Sequence, residues 1–210
     1  MIKVMLVEDH EVVRMGFGLL LAGSADIEVL AEADSGEEAV RKYIEEKPNV
    51  VVMDISMPGI GGLEATERIL AKDTNDKVLI LSAHEDAMHA GRALKAGAVG
   101  YLTKRSAAEE LIRAIRQVSV GQTYLEGEIA QELAVKQVSG NRNPVDALSE
   151  KEFKVFIALA KGQSVNQIAK IMSLSPRTVG THLYNIKQKL DASNSAELAL
   201  IAMRAGLIDA

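Results

Sequence analysis

The sequence predicts two folded units: an α/β domain on a doubly wound, five-stranded parallel sheet, then a small all-α domain. Three observations carry that expectation. Short apolar runs at 2–7, 28–33, 50–54, 78–82 and 98–102 are rich in Val, Ile and Leu and separated by helix-length segments. That is the rhythm of βαβ units, whose sheet is buried on both faces. From residue 146 onward the pattern is helical throughout, and Ser139-Gly140-Asn141-Arg142-Asn143-Pro144 has the composition of a linker between the halves. The expected boundaries are 1–121 for the first domain, 122–145 for a helical segment and linker, and 146–210 for the second domain.

The helices announce their ends. Ser106-Ala107-Ala108-Glu109 reads as a capping box opening a helix with Leu111, Ile112, Ile115 and Val118 on one face, closed at Gly121. A weaker helical stretch covers about 126–138. In the second half, Ser149-Glu150-Lys151-Glu152 caps a helix that ends at Gly162, and Ser164-Val165-Asn166-Gln167 caps the next. Ser175-Pro176 is an N-cap with proline at the first helical position. A last helix begins near Asn194 and stops at Gly206.

Bulk properties exclude several functions. The chain has 210 residues and 48% apolar content, enough for packed cores, and no apolar window long enough to span a membrane. The N-terminus turns acidic at Glu8-Asp9, too soon for a signal peptide. Zero cysteines remove disulfide and thiolate chemistry and fit a cytoplasmic protein. Aromatics make up 3%, with no Trp, which argues against a stacking platform for single-stranded nucleic acid. Charge is uneven: residues 1–138 carry a net −8 and residues 139–210 a net +3, together the −5 of the whole chain. An acidic half joined to a basic half suggests two tasks.

The chemistry of the first half sits at the ends of the expected strands. Glu8-Asp9 follows the first run, Asp54 ends the third, Ser82 ends the fourth, and Lys104 follows the fifth. Ligands of open α/β sheets bind beyond the carboxyl ends of the strands. Three carboxylates there make a hard-cation site, and a lysine beside them offers a point charge to a phosphoryl group. Two enzyme readings fail on residues. A dehalogenase-type phosphatase needs a second Asp as general acid two residues after the first, and position 56 is Ser. A dinucleotide site needs a glycine-rich turn after the first strand, and Glu8-Asp9-His10-Glu11 is not one.

Asp54, then Met57-Pro58, then Gly62, together with Glu8-Asp9, Ser82-Ala83 and Lys104, resembles the receiver domain of bacterial response regulators, over about residues 1–120. The resemblance implies a flavodoxin-like fold and a histidine kinase that phosphorylates Asp54. It implies Mg²⁺ held by Asp9, Asp54 and the carbonyl of Ser56, with Glu8 supporting the metal through water. It further implies that Ser82 and Lys104 receive the phosphoryl oxygens, and that Tyr101 swings inward behind Ser82.

In the second half, residues 176–190 read as one helix. Val179, Leu183, Ile186 and Leu190 fall within about 60° of one another at 100° per residue. Arg177, Thr181, Tyr184, Asn185 and Gln188 lie opposite, with Lys187 and Lys189 on the flanks. A face of hydrogen-bonding side chains between cations suits a helix in the DNA major groove, with the preceding helix and the Ser173-Leu174 turn completing a helix-turn-helix. An ordinary amphipathic helix with a solvated polar face has the same layout.

Leu148-Ser149-Glu150-Lys151-Glu152, Gln167-Ile168-Ala169, Ser175-Pro176-Arg177-Thr178-Val179, Thr181-His182 and Lys189-Leu190 resemble the LuxR/NarL-type DNA-binding domain over 146–210. Receiver and module together resemble the NarL/FixJ class of response regulators, with a tail similar to the GacA/UvrY subgroup. The resemblance implies transcription control by a non-enzymatic homodimer on double-stranded DNA, at an inverted-repeat site. Arg177, Thr178, Gly180, Thr181, Tyr184, Asn185, Lys187, Gln188 and Lys189 are the expected contacts. Gly180 departs from NarL, which has Lys there. Leu198, Ile201, Ala202 and Ala205 of the last helix serve equally as a two-fold contact or as packing within the domain. The alternative function is a receiver-controlled interaction protein whose helices bind a protein or RNA.

Overall fold

The computed structural model describes residues 1–72, 77–106, 108–138 and 144–208. Residues 139–143 of the expected linker and Ala107 of the Ser106–Glu109 box lie outside them. The chain divides into two compact units, Met1–Ser139 and Gly140–Ala210.

The first unit alternates strand and helix: β1 (Ile2–Val7), α1 (Glu11–Ala22), β2 (Ile27–Ala33), α2 (Gly36–Glu46), β3 (Val50–Asp54), α3 (Gly61–Leu70), β4 (Val78–Ser82), α4 (Ala87–Lys95), β5 (Gly100–Thr103), α5 (Ala108–Ser119), β6 (Tyr124–Leu125) and α6 (Gly127–Val138). The sheet is parallel with order β2-β1-β3-β4-β5-β6. Its direction of winding reverses beside β1, which opens a crevice at the carboxyl ends of β1 and β3.

Period-two alternation divides the core between the two faces. Met5, Val7, Val51, Met53, Val78, Ile80 and Tyr101 share one cluster with Ala39, Leu63, Ile69, Ala90 and Ile129 of the helices. Val4, Leu6, Val50, Val52, Leu79, Leu81 and Leu102 share the other with Leu21, Leu111, Ile115 and Val118. Both strand faces are therefore apolar, which is why these strands read as continuous runs rather than as alternating ones.

The five expected strands are present, and the sheet has a sixth. Tyr124 pairs with Gly100 and Leu125 with Tyr101. Gly121, at φ +83°, ends the α5 segment and turns the chain into β6. The segment from 122 to 138 thus belongs to the first unit: β6 extends its sheet, and α6 packs on α4 through Ile129 and Leu133. Among the described residues no helix is long and apolar enough to cross a membrane.

The second unit is a short 3-10 turn (Pro144–Ala147) and four helices: α7 (Glu150–Ala160), α8 (Val165–Ile171), α9 (Pro176–Leu190) and α10 (Ser195–Arg204). Ser149 and Glu152 form a reciprocal capping box on α7, and Ser164 and Gln167 form one on α8. Ser175 caps α9 by accepting from Thr178 N–H, with Pro176 at its first position. Between α8 and α9, Ser173 adopts φ +54°, and Leu174 N–H donates to Ala169 O at 2.9 Å, which closes the turn. Leu198 and Ala202 are fully buried where α10 packs on α7. Those two residues therefore serve packing within the domain, not a two-fold contact, and Leu200 and Met203 are the large apolar residues that α10 leaves exposed.

Candidate phosphate and nucleic-acid sites

Strand register brings the predicted residues of the first half to one end of the sheet. Asp54 pairs with Leu81, Ser82 pairs with Thr103, and Lys104 N–H donates to Ser82 O at 2.7 Å. Glu8 and Asp9 leave β1 on the other side of Asp54. The α3 end approaches from behind. A Cβ on Gly62 would stand 1.9 Å from Asp54 O, so only glycine lets α3 begin there. This is the physical content of the Gly62 position in the Asp54–Gly62 motif.

Side chains converge on Asp54. Lys104 Nζ lies 2.5 Å from Glu8 Oε2 and 3.0 Å from Asp54 Oδ2. Ser56 N–H donates to Asp54 Oδ1 at 3.1 Å. Glu8 and Asp54 are almost fully buried, while Asp9 is half-buried. Among the described residues, the second Lys104 contact gives Asp54 Oδ2 Coulomb attraction but no aligned hydrogen bond, and Asp9 Oδ1 has none either. Two buried carboxylate oxygens without a donor are costly, and they fit a cation. Glu8, Asp9, His10 and Asp54 each place a ligand atom within 4.8 Å of the others.

The electrostatics agree. Burial, with Glu8 adding to it, raises the pKa of Asp54 against the pull of Ser56 N–H and Lys104. Burial opposes the charge on Lys104, but Glu8 and Asp54 outweigh it and hold the ammonium ionised with a raised pKa. One lysine therefore serves two buried carboxylates, leaving the pocket short of positive charge.

Ser82 is fully buried, and its hydroxyl accepts from His84 N–H at 3.0 Å. Tyr101 is also fully buried, on the inner side, where its hydroxyl donates to His84 O at 2.8 Å. Burial raises the Tyr101 pKa well above its ordinary value. The β4–α4 connection is thus tied both to Ser82 and to Tyr101.

Three participants were not foreseen. His10 Nδ1 lies 3.0 Å from both Glu8 Oε1 and Asp9 Oδ1, and those carboxylates raise its pKa, the Glu8 hydrogen bond first. Its place directly after Glu8-Asp9 was the available signal. Glu126 accepts from Thr103 N–H at 3.2 Å and from Ser106 Oγ at 3.1 Å. Glu132 of α6 accepts from Ala87 N–H at 3.3 Å, at the start of α4. These two glutamates bond the segment after α5 to both loops beside the site, and no local pattern marks them.

In the second unit, α9 turns the expected stripe inward. Val179, Ile186 and Leu190 are buried and Leu183 is half-buried. Arg177, Thr181, Tyr184 and Gln188 are exposed, with Asn185, Thr178 and Gly180 at the margins. Tyr184 is 64% exposed, a large apolar ring left in solvent on a polar face. The flanking lysines are engaged within the unit: Lys187 Nζ donates to Ser193 O at 3.0 Å, and Lys189 Nζ lies 2.6 Å from Glu152 Oε2.

Comparison with known proteins decides the family. The model of the response regulator receiver domain matches residues 4–116, and that of the bacterial regulatory proteins of the luxR family matches residues 146–202. This chain belongs to the LuxR-type response regulators. The regulator is 45% identical to the response regulator GacA of Pseudomonas syringae pv. syringae (strain B728a), covering 100% of this chain and 99% of that protein. It is 41% identical to the response regulator UvrY of Escherichia coli (strain K12), covering 100% and 97%. Among solved structures, a LuxR-family two-component response regulator from Aurantimonas sp. SI85-9A1 is 41% identical with TM-score 0.63, over 65% of this chain and 98% of that one. The response regulator ChrA of a heme-sensing two-component system is 36% identical with TM-score 0.54, over 99% and 98%. The regulator is a two-component protein that controls transcription, which sets aside the alternative of an interaction module for protein or RNA.

Proposed function

We propose that Asp54 accepts a phosphoryl group from a histidine kinase and that this event switches DNA binding by α9. The observation that carries the reading is the convergence of Lys104 Nζ on Asp54 beside two buried carboxylate oxygens that lack donors. Asp9 and Asp54, with the Ser56 carbonyl, would hold Mg²⁺, and Glu8 would support it through water. An all-oxygen set of this kind suits a hard divalent cation. Bound there, Mg²⁺ supplies charge neutralisation for the incoming phosphoryl oxygens.

The chain's own residues do the rest. Asp54 is the nucleophile; Lys104 pairs with one phosphoryl oxygen, moving away from Asp54 Oδ2 as it does so. The Ser82 hydroxyl donates its O–H to another, while its oxygen keeps accepting from His84 N–H. Drawn toward the ligand, Ser82 carries the β4–α4 connection with it, and Tyr101, held to His84 O, follows. Ser56 stands where a phosphatase would place its acid, so the regulator has no side chain there to drive turnover and acts as a switch rather than an enzyme. The output is a homodimer on duplex DNA in the cytoplasm, with Arg177, Thr178, Thr181, Tyr184, Asn185 and Gln188 toward the bases. Gly180 lets the backbone approach, and Lys187 and Lys189 meet phosphates on the flanks.

The test is direct. Incubated with acetyl phosphate and Mg²⁺, the regulator should gain the mass of one phosphoryl group. Asp54→Asn and excess EDTA should each abolish the gain, and label retained under either condition removes Asp54 or the metal from the proposal.

A further inference from the structure

Outside the phosphate pocket a second cluster of metal-ligating side chains stands at the start of α4. His84, Asp86 and His89 each place a ligand atom within 4.8 Å of the others. His89 Nδ1 lies 2.7 Å from Asp86 Oδ2, and the two imidazole rings stack with centroids 3.8 Å apart and planes within 2°. We propose that His84, Asp86 and His89 form a binding site for a divalent transition-metal ion of the Zn²⁺ class.

Four features of the cluster support this. The donor set is two imidazoles and one carboxylate, which suits Zn²⁺, Ni²⁺ or Cu²⁺ and contrasts with the all-oxygen pocket for Mg²⁺. Three protein ligands leave a fourth position to water, as in open zinc sites. The stack sets the two imidazoles side by side, so a modest turn of each ring can bring a nitrogen from both to one ion. The carboxylate is anchored independently: Asp86 Oδ1 accepts from Met88 N–H and His89 N–H, both at 3.0 Å, as the N-cap of α4.

Metal entry replaces the proton shared by His89 and Asp86, which passes to solvent, and the two rings tilt out of their stack to point at one ion. Rotation of an imidazole about χ2 is soft, so this rearrangement costs little. The ion would join the β4–α4 connection to the first turn of α4. Because His84 N–H is bonded to Ser82 and His84 O to Tyr101, the ion would also hold the loop that those two residues grip.

The test uses the full chain, stripped of metal and then saturated with Mg²⁺ so that the acidic pocket is filled. Zn²⁺ affinity is read by competition with a chelating dye, and Co²⁺ substitution by its visible absorption. One Zn²⁺ per chain is expected, together with a low-symmetry Co²⁺ spectrum. His84→Ala and Asp86→Asn should each weaken Zn²⁺ by about tenfold or more. His84 grips Ser82 and Tyr101 only through its backbone, and Asn preserves the N-cap, so both variants should stay folded, as far-UV circular dichroism will verify. His10→Ala should bind Zn²⁺ as the parent does. Unchanged affinity in His84→Ala and Asp86→Asn, loss in His10→Ala instead, or no binding at millimolar Zn²⁺ each overturns the site.

Discussion

Asp54 and Glu152 are both buried carboxylates beside a lysine, one in each unit, and they are held in opposite states. Glu152 has Lys189 to itself at 2.6 Å and also accepts from Ser149 N–H at 2.8 Å. Burial works against its charge, yet these donors outweigh it and lower its pKa. Asp54 shares Lys104 with Glu8, has an oxygen without a donor, and has a raised pKa. The Glu152 pair is closed and fastens α7 to α9. The Asp54 pocket is deficient by at least one positive charge, and that deficit is its capacity to take up a cation and then a phosphoryl group. Burial alone does not tell a structural carboxylate from a reactive one; the balance of donors around it does.

Breaking the closed pair should have the largest effect. Lys189→Ala leaves Glu152 buried and charged, held only by Ser149. We expect a loss of about 2 kcal/mol, below the range for fully buried pairs because Lys189 is 41% exposed. Amide exchange on the full chain should show the loss in α7 and α9 and not in β1–β5. The same variant tests the DNA role of Lys189. A lost phosphate contact lowers the salt slope of DNA binding by about 1. A displaced α9 weakens binding with the slope unchanged.

Neutralising the open pocket should act with the opposite sign. Asp54→Asn removes a buried charge, one of whose oxygens lacks an aligned donor, so in the absence of divalent cation it should stabilise the first unit by roughly 1–2 kcal/mol. Mg²⁺ should stabilise the parent by binding the native state and leave Asp54→Asn nearly unchanged. Equal responses of both chains to Mg²⁺ would place the metal elsewhere.

Acid should part the two units in the same way. Asp54 has a folded pKa above its unfolded value of 3.8, so the folded unit binds protons more tightly, and stability rises as pH falls through the folded value. Glu152 is lowered, so its contribution is complete above 4.5 and is lost only as pH falls through its own lower value. Asp86, at about 2, contributes fully above 3.8 and stays constant in the same range. As pH falls through the folded Asp54 value, exchange protection should therefore rise in the first unit, while above 4.5 it should hold in the second. His10 is raised too and acts in the same direction as Asp54, so the slope due to Asp54 is the difference between the parent and Asp54→Asn. No difference between the two would remove Asp54 from the effect.

Much of this contrast was legible in the sequence, for a physical reason. Strand ends are fixed by apolar runs, so Glu8, Asp54, Ser82 and Lys104 could be placed at one edge of a sheet before any coordinates. The inward stripe of α9 followed from helical period alone. What escaped depends on long-range pairing. β6 is two residues long, too short for any period, and it exists because β5 offers an edge beside Gly100. Glu126 and Glu132 gain their partners only once α6 folds back onto α4. Lys189 read as a flank cation because its partner, Glu152, lies 37 residues away and already had an evident duty as a helix cap.

The smallest stability effect concerns two glycines whose surroundings differ as sharply as the two carboxylates. Gly62 cannot carry a side chain, since Asp54 O blocks it; a Cβ on Gly180 would meet nothing within 4 Å. Nothing among the described residues therefore requires glycine in mid-α9, where it costs about 0.8–1 kcal/mol of helix propensity relative to alanine. Gly180→Ala should raise the stability of the second unit by about that amount, read from amide exchange in α9. If the bare backbone serves close approach to DNA, the same variant should bind duplex DNA more weakly although its helix is firmer. Stability and affinity would then move in opposite directions, which neither a merely tolerated glycine nor a general change in charge produces. A Gly180→Ala regulator that is both more stable and equally tight on DNA would show that the glycine has no role in DNA approach, leaving Arg177, Thr181, Tyr184 and Gln188 to carry the recognition face.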